Sequence, residues 1–170
     1  MTASREELDV TDQAEEHDRR IVVGVDGSPG SRIALRWAVT QAELSDARVD
    51  VVGAWHDPAE YAFAYGWSPA VFEDVSIAAI TEKMLVEAVA DVAGGGAPVQ
   101  FTTHVVRGHP AQVLLDAADG AQLLVVGSRG HGAFAGMLLG SVTQHCVQHA
   151  SCPVVIVPSA DRTVDEVGSD

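Results

Sequence analysis

Residues 121–142, AQLLVVGSRGHGAFAGMLLGSV, hold the densest run of positions that could do chemistry. Leu123 to Val126 make an apolar run of strand length that Gly127 stops. Gly130, Gly132, Gly136 and Gly140 follow, with Ser141 at the close, and a helical pattern then starts at Val142 and runs to Ala150. A buried strand, a glycine loop and a fresh helix N-terminus make an anion cradle. Unpaired N–H groups of loop and helix converge on one point, and the helix dipole favours negative charge there. Glycine at such places lets a phosphate approach the backbone with no Cβ in the way.

Three familiar glycine motifs do not fit. A P-loop ends Gly-Lys-Ser/Thr, and this loop ends Gly140-Ser141 with no lysine before the serine. Gly130-His131-Gly132 with Gly136 has the outline of a dinucleotide fingerprint, but it follows a late strand and no acid lies about 20 positions on. A nucleophile elbow needs Gly-x-Ser-x-Gly, and Val126 stands where its first glycine should be.

The elements that must position this loop follow from periodicity. RIVVGV, residues 20–25, is a short apolar strand that ends in Asp26-Gly27-Ser28-Pro29-Gly30. Ser28 as N-cap and Pro29 at the first helical position start a helix, which Ile33, Ala34, Trp37, Ala38 and Ala42 continue. Residues 48–55 are a second strand, and residues 56–70, HDPAEYAFAYGWSPA, form an aromatic loop. A long helix is expected from about Val71 to Val92, ended by Gly94-Gly95-Gly96. A strand over 99–106, a short helix after Gly108-His109-Pro110, the strand 123–126, a helix over 141–150 and a strand over 154–157 complete the chain. Strands alternating with helices argue for an α/β fold, a parallel sheet wound on both faces, and uninterrupted apolar strands fit burial on both sides.

Composition sets the bounds. A chain of 170 residues, 47% of them hydrophobic, supports one globular domain with a proper core. The reading divides it into an acidic tail over 1–18, a domain over 19–158 and a second acidic tail over 159–170. No apolar run reaches membrane-span length, and the charged first twenty residues lack a signal-peptide stretch, which points to the cytoplasm. The net charge of −14 opposes nucleic-acid and anionic-membrane partners. Cys146 and Cys152 make no disulfide framework and read as reduced thiols.

Gly127-x2-Gly130-x9-Gly140-Ser141, with Val22-Val23-Gly24-Val25-Asp26-Gly27-Ser28 near the start, resembles the nucleotide-binding signature and first strand of the universal stress protein family. The resemblance covers roughly residues 19–158 and is to the family's single-domain, ATP-binding type. It implies a five-stranded doubly wound parallel sheet of order 3-2-1-4-5, Rossmann-like, with the crevice between strands one and four. It also implies that Asp26 accepts hydrogen bonds from the ribose hydroxyls, where an Asx turn with Gly27 is the bland reading. Gly127 and Gly130 would let the loop wrap ribose and phosphate. Gly140, Ser141, Val142 and Thr143 would supply N–H groups and hydroxyls to the phosphate chain, although Ser141-x-x-Gln144 is also a capping box that needs no ligand. Ala54 matches the position whose backbone meets the adenine edge, and Val25 and Val52 could floor the base or simply pack the core.

Arg129 is the one base in the loop and a candidate phosphate contact, with Arg107 a weaker one. His131 stands open between phosphate and solvent. With no lysine near the loop, modest affinity is expected. His145 and His149 have the i, i+4 spacing of metal ligands, yet no Glu completes an HExxH pattern, so no metal site is assigned. The aromatic loop is either a lid over the base or packing against the second helix. No Ser-His-Asp or Cys-His set can be assembled, so binding with at most slow ATP turnover is expected.

The resemblance thus implies an ATP-binding stress-response sensor or regulator, with AMP or cyclic AMP as related ligands and a divalent metal arriving with ATP. A nucleotide-independent dimeric interaction protein is the alternative from another class, and an adenylate-forming enzyme is a third. The family's habit further implies a homodimer through the fifth strand, whose short apolar edge invites pairing.

Overall fold

The structure is a computed structural model that describes residues 19–56, 76–93, 99–131 and 138–159. The first tail, the second tail from residue 160, the aromatic loop from residue 57, the expected helix start at 71–75, Gly94 to Gly96, and Gly132 and Gly136 lie outside the described residues.

In chain order the elements are β1 (Arg20–Gly24), α1 (Pro29–Ser45), β2 (Arg48–Trp55), α2 (Ile77–Ala93), β3 (Phe101–Arg107), α3 (Pro110–Ala118), β4 (Leu123–Gly127), α4 (Ser141–His149) and β5 (Val154–Val157). Every strand pair is parallel, and the order is β3-β2-β1-β4-β5, as the resemblance implied. The strand alternation feeds two separate cores. Ile21, Val23, Val49, Val51 and Val125 face α1 and α2, where Leu35, Ala38 and Leu85 are fully buried. Val22, Val52, Leu124 and Val126 face α3 and α4, where Leu114, Ala118 and Cys146 meet them.

Burial on both faces holds for β1, β2 and β4 but not for the edges. In β3, Thr102 and Val106 are exposed on the face toward α3, whose contacts are with β1, β2 and β4, and Thr103 and Arg107 are exposed on the face toward α2. Asp50, buried in β2, is met by Arg20 at 3.5 Å and Arg48 at 3.2 Å. Among the described residues no buried side-chain N or O lacks a partner, and no helix is long and apolar enough to cross a membrane.

What matters for the site is the register of β1. It pairs with β2 on one side and with β4 on the other, Val22 lying beside Leu124 and Val23 beside Val125. One connection leaves toward β2 and a later one returns beyond β1, so the strand order reverses there. A crevice opens past the carboxyl ends of β1 and β4 at such a switch point.

Candidate functional site

A cavity of about 390 Å³ occupies that crevice. Val25, Asp26, Ala54, Gly127, Arg129, Gly130, Gly140, Ser141, Val142 and Thr143, dispersed over more than a hundred positions of sequence, all line it.

Asp26 stands one residue past buried Val25. Its Oδ1 accepts the Ser28 amide at 3.0 Å and the Ser28 hydroxyl at 2.6 Å, so the Asx turn is formed. Its Oδ2 accepts the His131 amide at 3.2 Å, which ties the β4 loop to the end of β1. Partial burial pulls the carboxyl's pKa upward, but the hydrogen bonds from Ser28, Ser31 and His131 outweigh it and hold the pKa below the ordinary 3.8. Asp26 is therefore an ionised acceptor at neutral pH. Oδ1 already takes two donors, and the open acceptor direction is on Oδ2. That leaves room for one further donor more readily than for two.

The three signature glycines differ in what a side chain would meet there. A Cβ on Gly127 would lie 3.0 Å from the backbone C and O of Gly30, where β4 ends against the start of α1. A Cβ on Gly130 would lie 2.5 Å from Asp26 Oδ2. A Cβ on Gly140 would make only ordinary contacts, the nearest at 3.6 Å, and its φ of −71° suits any residue. Nothing within the described residues requires glycine at 140.

The start of α4 differs from the sequence reading in detail. Gly140, not Ser141, is the N-cap of α4, and no side chain caps the helix. The expected capping box is absent because the extended backbone at Gly140 makes Ser141 the first helical residue. Gln144 instead donates its side-chain amide to Leu139 O at 3.0 Å. The Gly140 amide donates to Ser128 O at 2.8 Å, and the Thr143 hydroxyl donates to Gly127 O at 2.8 Å, so neither is a donor for a ligand. The first-turn amides of Ser141, Val142 and Thr143 remain without an intrahelical partner, beside the exposed Ser141 hydroxyl. Arg129 reaches Ser159 Oγ at 3.1 Å and still lines the cavity. Arg107 does not line it; its guanidinium lies 5.8 Å from the Trp55 ring centroid.

Part of the lining is apolar. Val52, Val126 and Val142 form it together with Pro110 and Leu114 of α3. These last two escaped the sequence reading, although Pro110 and Leu114 share a face at i, i+4. A Cβ on Gly24 would sit 2.9 Å from Leu114 Cδ1, so Gly24 is what admits that side chain. Ser28 and Ser31 line the cavity as well.

Elsewhere, His145 and His149 stack with centroids 4.2 Å apart, and the His149 ring bonds the His145 carbonyl. Among the described residues no group of three or more His, Cys, Asp or Glu could hold a metal ion. Both cysteines are free, and burial pushes the Cys146 thiol up to about 11.

Fold and site together define a class: a doubly wound parallel sheet whose switch-point crevice is bounded by a strand-end carboxylate, a glycine loop and an open helix N-terminus. The chain belongs to the universal stress protein family, whose profile matches residues 18–158. One universal stress protein of Mycobacterium tuberculosis is 32% identical over 165 residues, covering 88% of this chain and 51% of that protein. Another from the same organism is 36% identical over 136 residues, covering 80% and 44%. The chain thus spans about half the length of these curated relatives. Among solved structures, a universal stress protein in complex with cAMP is 29% identical with a TM-score of 0.61, covering 84% of this chain and 98% of that one. One from Lactobacillus plantarum, 24% identical with a TM-score of 0.65, covers 82% and 97% and shares the fold.

Proposed function

We propose that the crevice binds an adenine nucleotide, ATP foremost, and that the protein works in the cytoplasm as a nucleotide-responsive regulator of the stress response. One observation carries this reading. An ionised carboxylate, three open helix-start amides and an apolar wall of Val52, Leu114 and Val126 line a single cavity. That order suits ribose, phosphate and base. The 29% identical structure holding cAMP supports an adenine ligand. Ala54 would meet the base edge, Val25 and Val52 its face, and Asp26 the ribose. Gly127, Gly130, Gly140 and Arg129 would border the phosphates, with Ser141, Val142 and Thr143 donating from the main chain.

Only Arg129 and His131 among the described lining residues can carry positive charge, so affinity rests on dipoles and stays modest. Asp26 is the sole carboxylate of that lining, and three protein hydrogen bonds engage it. It is poorly placed as a base for attacking water, and turnover of ATP is at most slow. A divalent cation would arrive with the phosphates rather than on a protein cage. Regulation then requires the nucleotide to bind two states of the protein, or of a complex, with different affinity.

Mass spectrometry of protein purified without added ligand is expected to find a co-purified adenine nucleotide. Calorimetric titration with ATP, AMP and cyclic AMP then ranks the ligands. Silence with every adenine compound would end the reading. We also propose a homodimer through β5, which pairs only with β4 among the described strands and leaves an apolar edge open. Sedimentation at micromolar protein is expected to give twice the chain mass, and a monomer would refute the dimer.

A further inference from the structure

Among the described residues one histidine lines the crevice, and it lies against the crevice's carboxylate. His131 lines the cavity, and its Nδ1 lies 3.6 Å from Asp26 Oδ2, the oxygen that its own amide also bonds. The side chain is 68% exposed. The groups around it are few. Asp26 faces it from the end of β1. Arg129 shares its loop, with the guanidinium turned to Ser159 Oγ at 3.1 Å. From α2 comes neutral Met84, whose Cγ would lie 3.3 Å from a Cβ on Gly27, where the His131 ring also approaches. Among the described residues no other histidine lines the cavity; His109, just before Pro110, packs on His56 with centroids 6.0 Å apart.

We propose that His131 is a phosphate-reading residue whose protonation tightens the crevice's grip on nucleotide phosphate, making binding sensitive to acidification; this rests on the nucleotide reading above. Histidine changes charge between about pH 5 and 8. With a neutral ring, Asp26 and Arg129 cancel and the described lining has no net charge. With a protonated ring, the Asp26 charge is offset locally and the lining carries one net positive charge. That charge sits on the loop between the carboxylate and the helix-start amides. Phosphate gains from it, and a bare nucleoside does not. By linkage, bound phosphate favours the protonated ring, so binding near neutral pH takes up a proton.

Cyclic AMP is the probe, because its phosphodiester keeps one negative charge across this range, and adenosine is the uncharged control. Calorimetry on the full chain is run at pH 5.5 and 8.0 on wild type, His131→Gln and His131→Arg. Wild type is expected to bind cyclic AMP roughly three- to tenfold tighter at pH 5.5, the scale of one added charge near a partly exposed phosphate. Adenosine affinity is expected to stay flat. His131→Gln should lose the slope, and His131→Arg should bind at least as tightly at pH 8.0 as at pH 5.5. Titrations at pH 6.5 in two buffers of different ionisation enthalpy should show proton uptake in wild type and none in His131→Gln. Wild type and both variants keep the residue 131 amide that bonds Asp26, so a folding role would leave the slope in place. A slope that persists in His131→Gln, or no slope in wild type, overturns the inference and leaves nucleotide binding standing. No heat with either ligand at either pH overturns the nucleotide reading, and this inference with it.

Discussion

Replacing Gly130 with alanine is expected to weaken nucleotide binding by about tenfold or more, the value of one charge-assisted hydrogen bond, while thermal stability stays close to wild type. The added Cβ would lie 2.5 Å from Asp26 Oδ2 and 3.6 Å from its Cγ. The carboxylate cannot simply rotate away, since Ser28 holds Oδ1 through its amide and hydroxyl and the His131 amide holds Oδ2. Either the carboxylate leaves its open acceptor direction, or the loop recedes and separates the ribose end from the phosphate end. Both outcomes damage the site. Gly130 and Asp26 are exposed, so little core packing changes. Gly127→Ala makes the contrast. Its Cβ would meet the Gly30 backbone at 3.0 Å, and backbone cannot swing aside. Its cost falls on stability, on the scale of about 1–3 kcal/mol for an overpacked position. Calorimetry beside thermal melts separates the two variants. Unchanged affinity in Gly130→Ala would mean that the ligand does not use the Asp26 carboxylate.

The contrast also shows how far the sequence could be read. Glycine spacing announces a loop that must pass close to something, and strand alternation tells which valines face which core. Both are local regularities, and both survive in the fold: Val22 and Val23 go to opposite layers as period two demands. The partner of each close approach is not local. Gly127 answers to Gly30, nearly a hundred positions earlier, and Gly130 answers to Asp26. Only the β1–β4 pairing brings them together. Leu114 and Pro110 were invisible as site residues for a related reason. Their spacing declares a buried helix face, but only the way α3 leans over β1 and β2 turns that face into a cavity wall. The Ser141-x-x-Gln144 pattern misled in the opposite direction. Its residues suit a capping box, yet the glycine before it adopts the cap conformation and shifts the helix start by one. That shift decides which donors remain free, and no side-chain pattern records it.

Because Ser141 is the first residue of α4 and not its cap, Ser141→Glu is expected to move stability and binding in opposite directions. The first turn of α4 carries no acid. A carboxylate there meets the open amides of residues 141–143 and the positive end of the helix dipole, which raises stability by roughly 0.3–1 kcal/mol. The same carboxylate then occupies the place proposed for phosphate. Each phosphate charge at about 5 Å costs close to 1 kcal/mol even at the dielectric constant of water. Three such charges on ATP therefore lower affinity by roughly 30- to 100-fold. Adenosine has no phosphate to repel, and its affinity is expected to change less than about threefold, the range of an ordinary surface substitution. The ratio of the two effects is the informative quantity. A thermal midpoint that rises while ATP binding collapses and adenosine binding persists assigns the phosphates to α4. Equal losses for ATP and adenosine would place the phosphates elsewhere in the crevice, and the open amides of Ser141, Val142 and Thr143 would then be ordinary helix ends facing water.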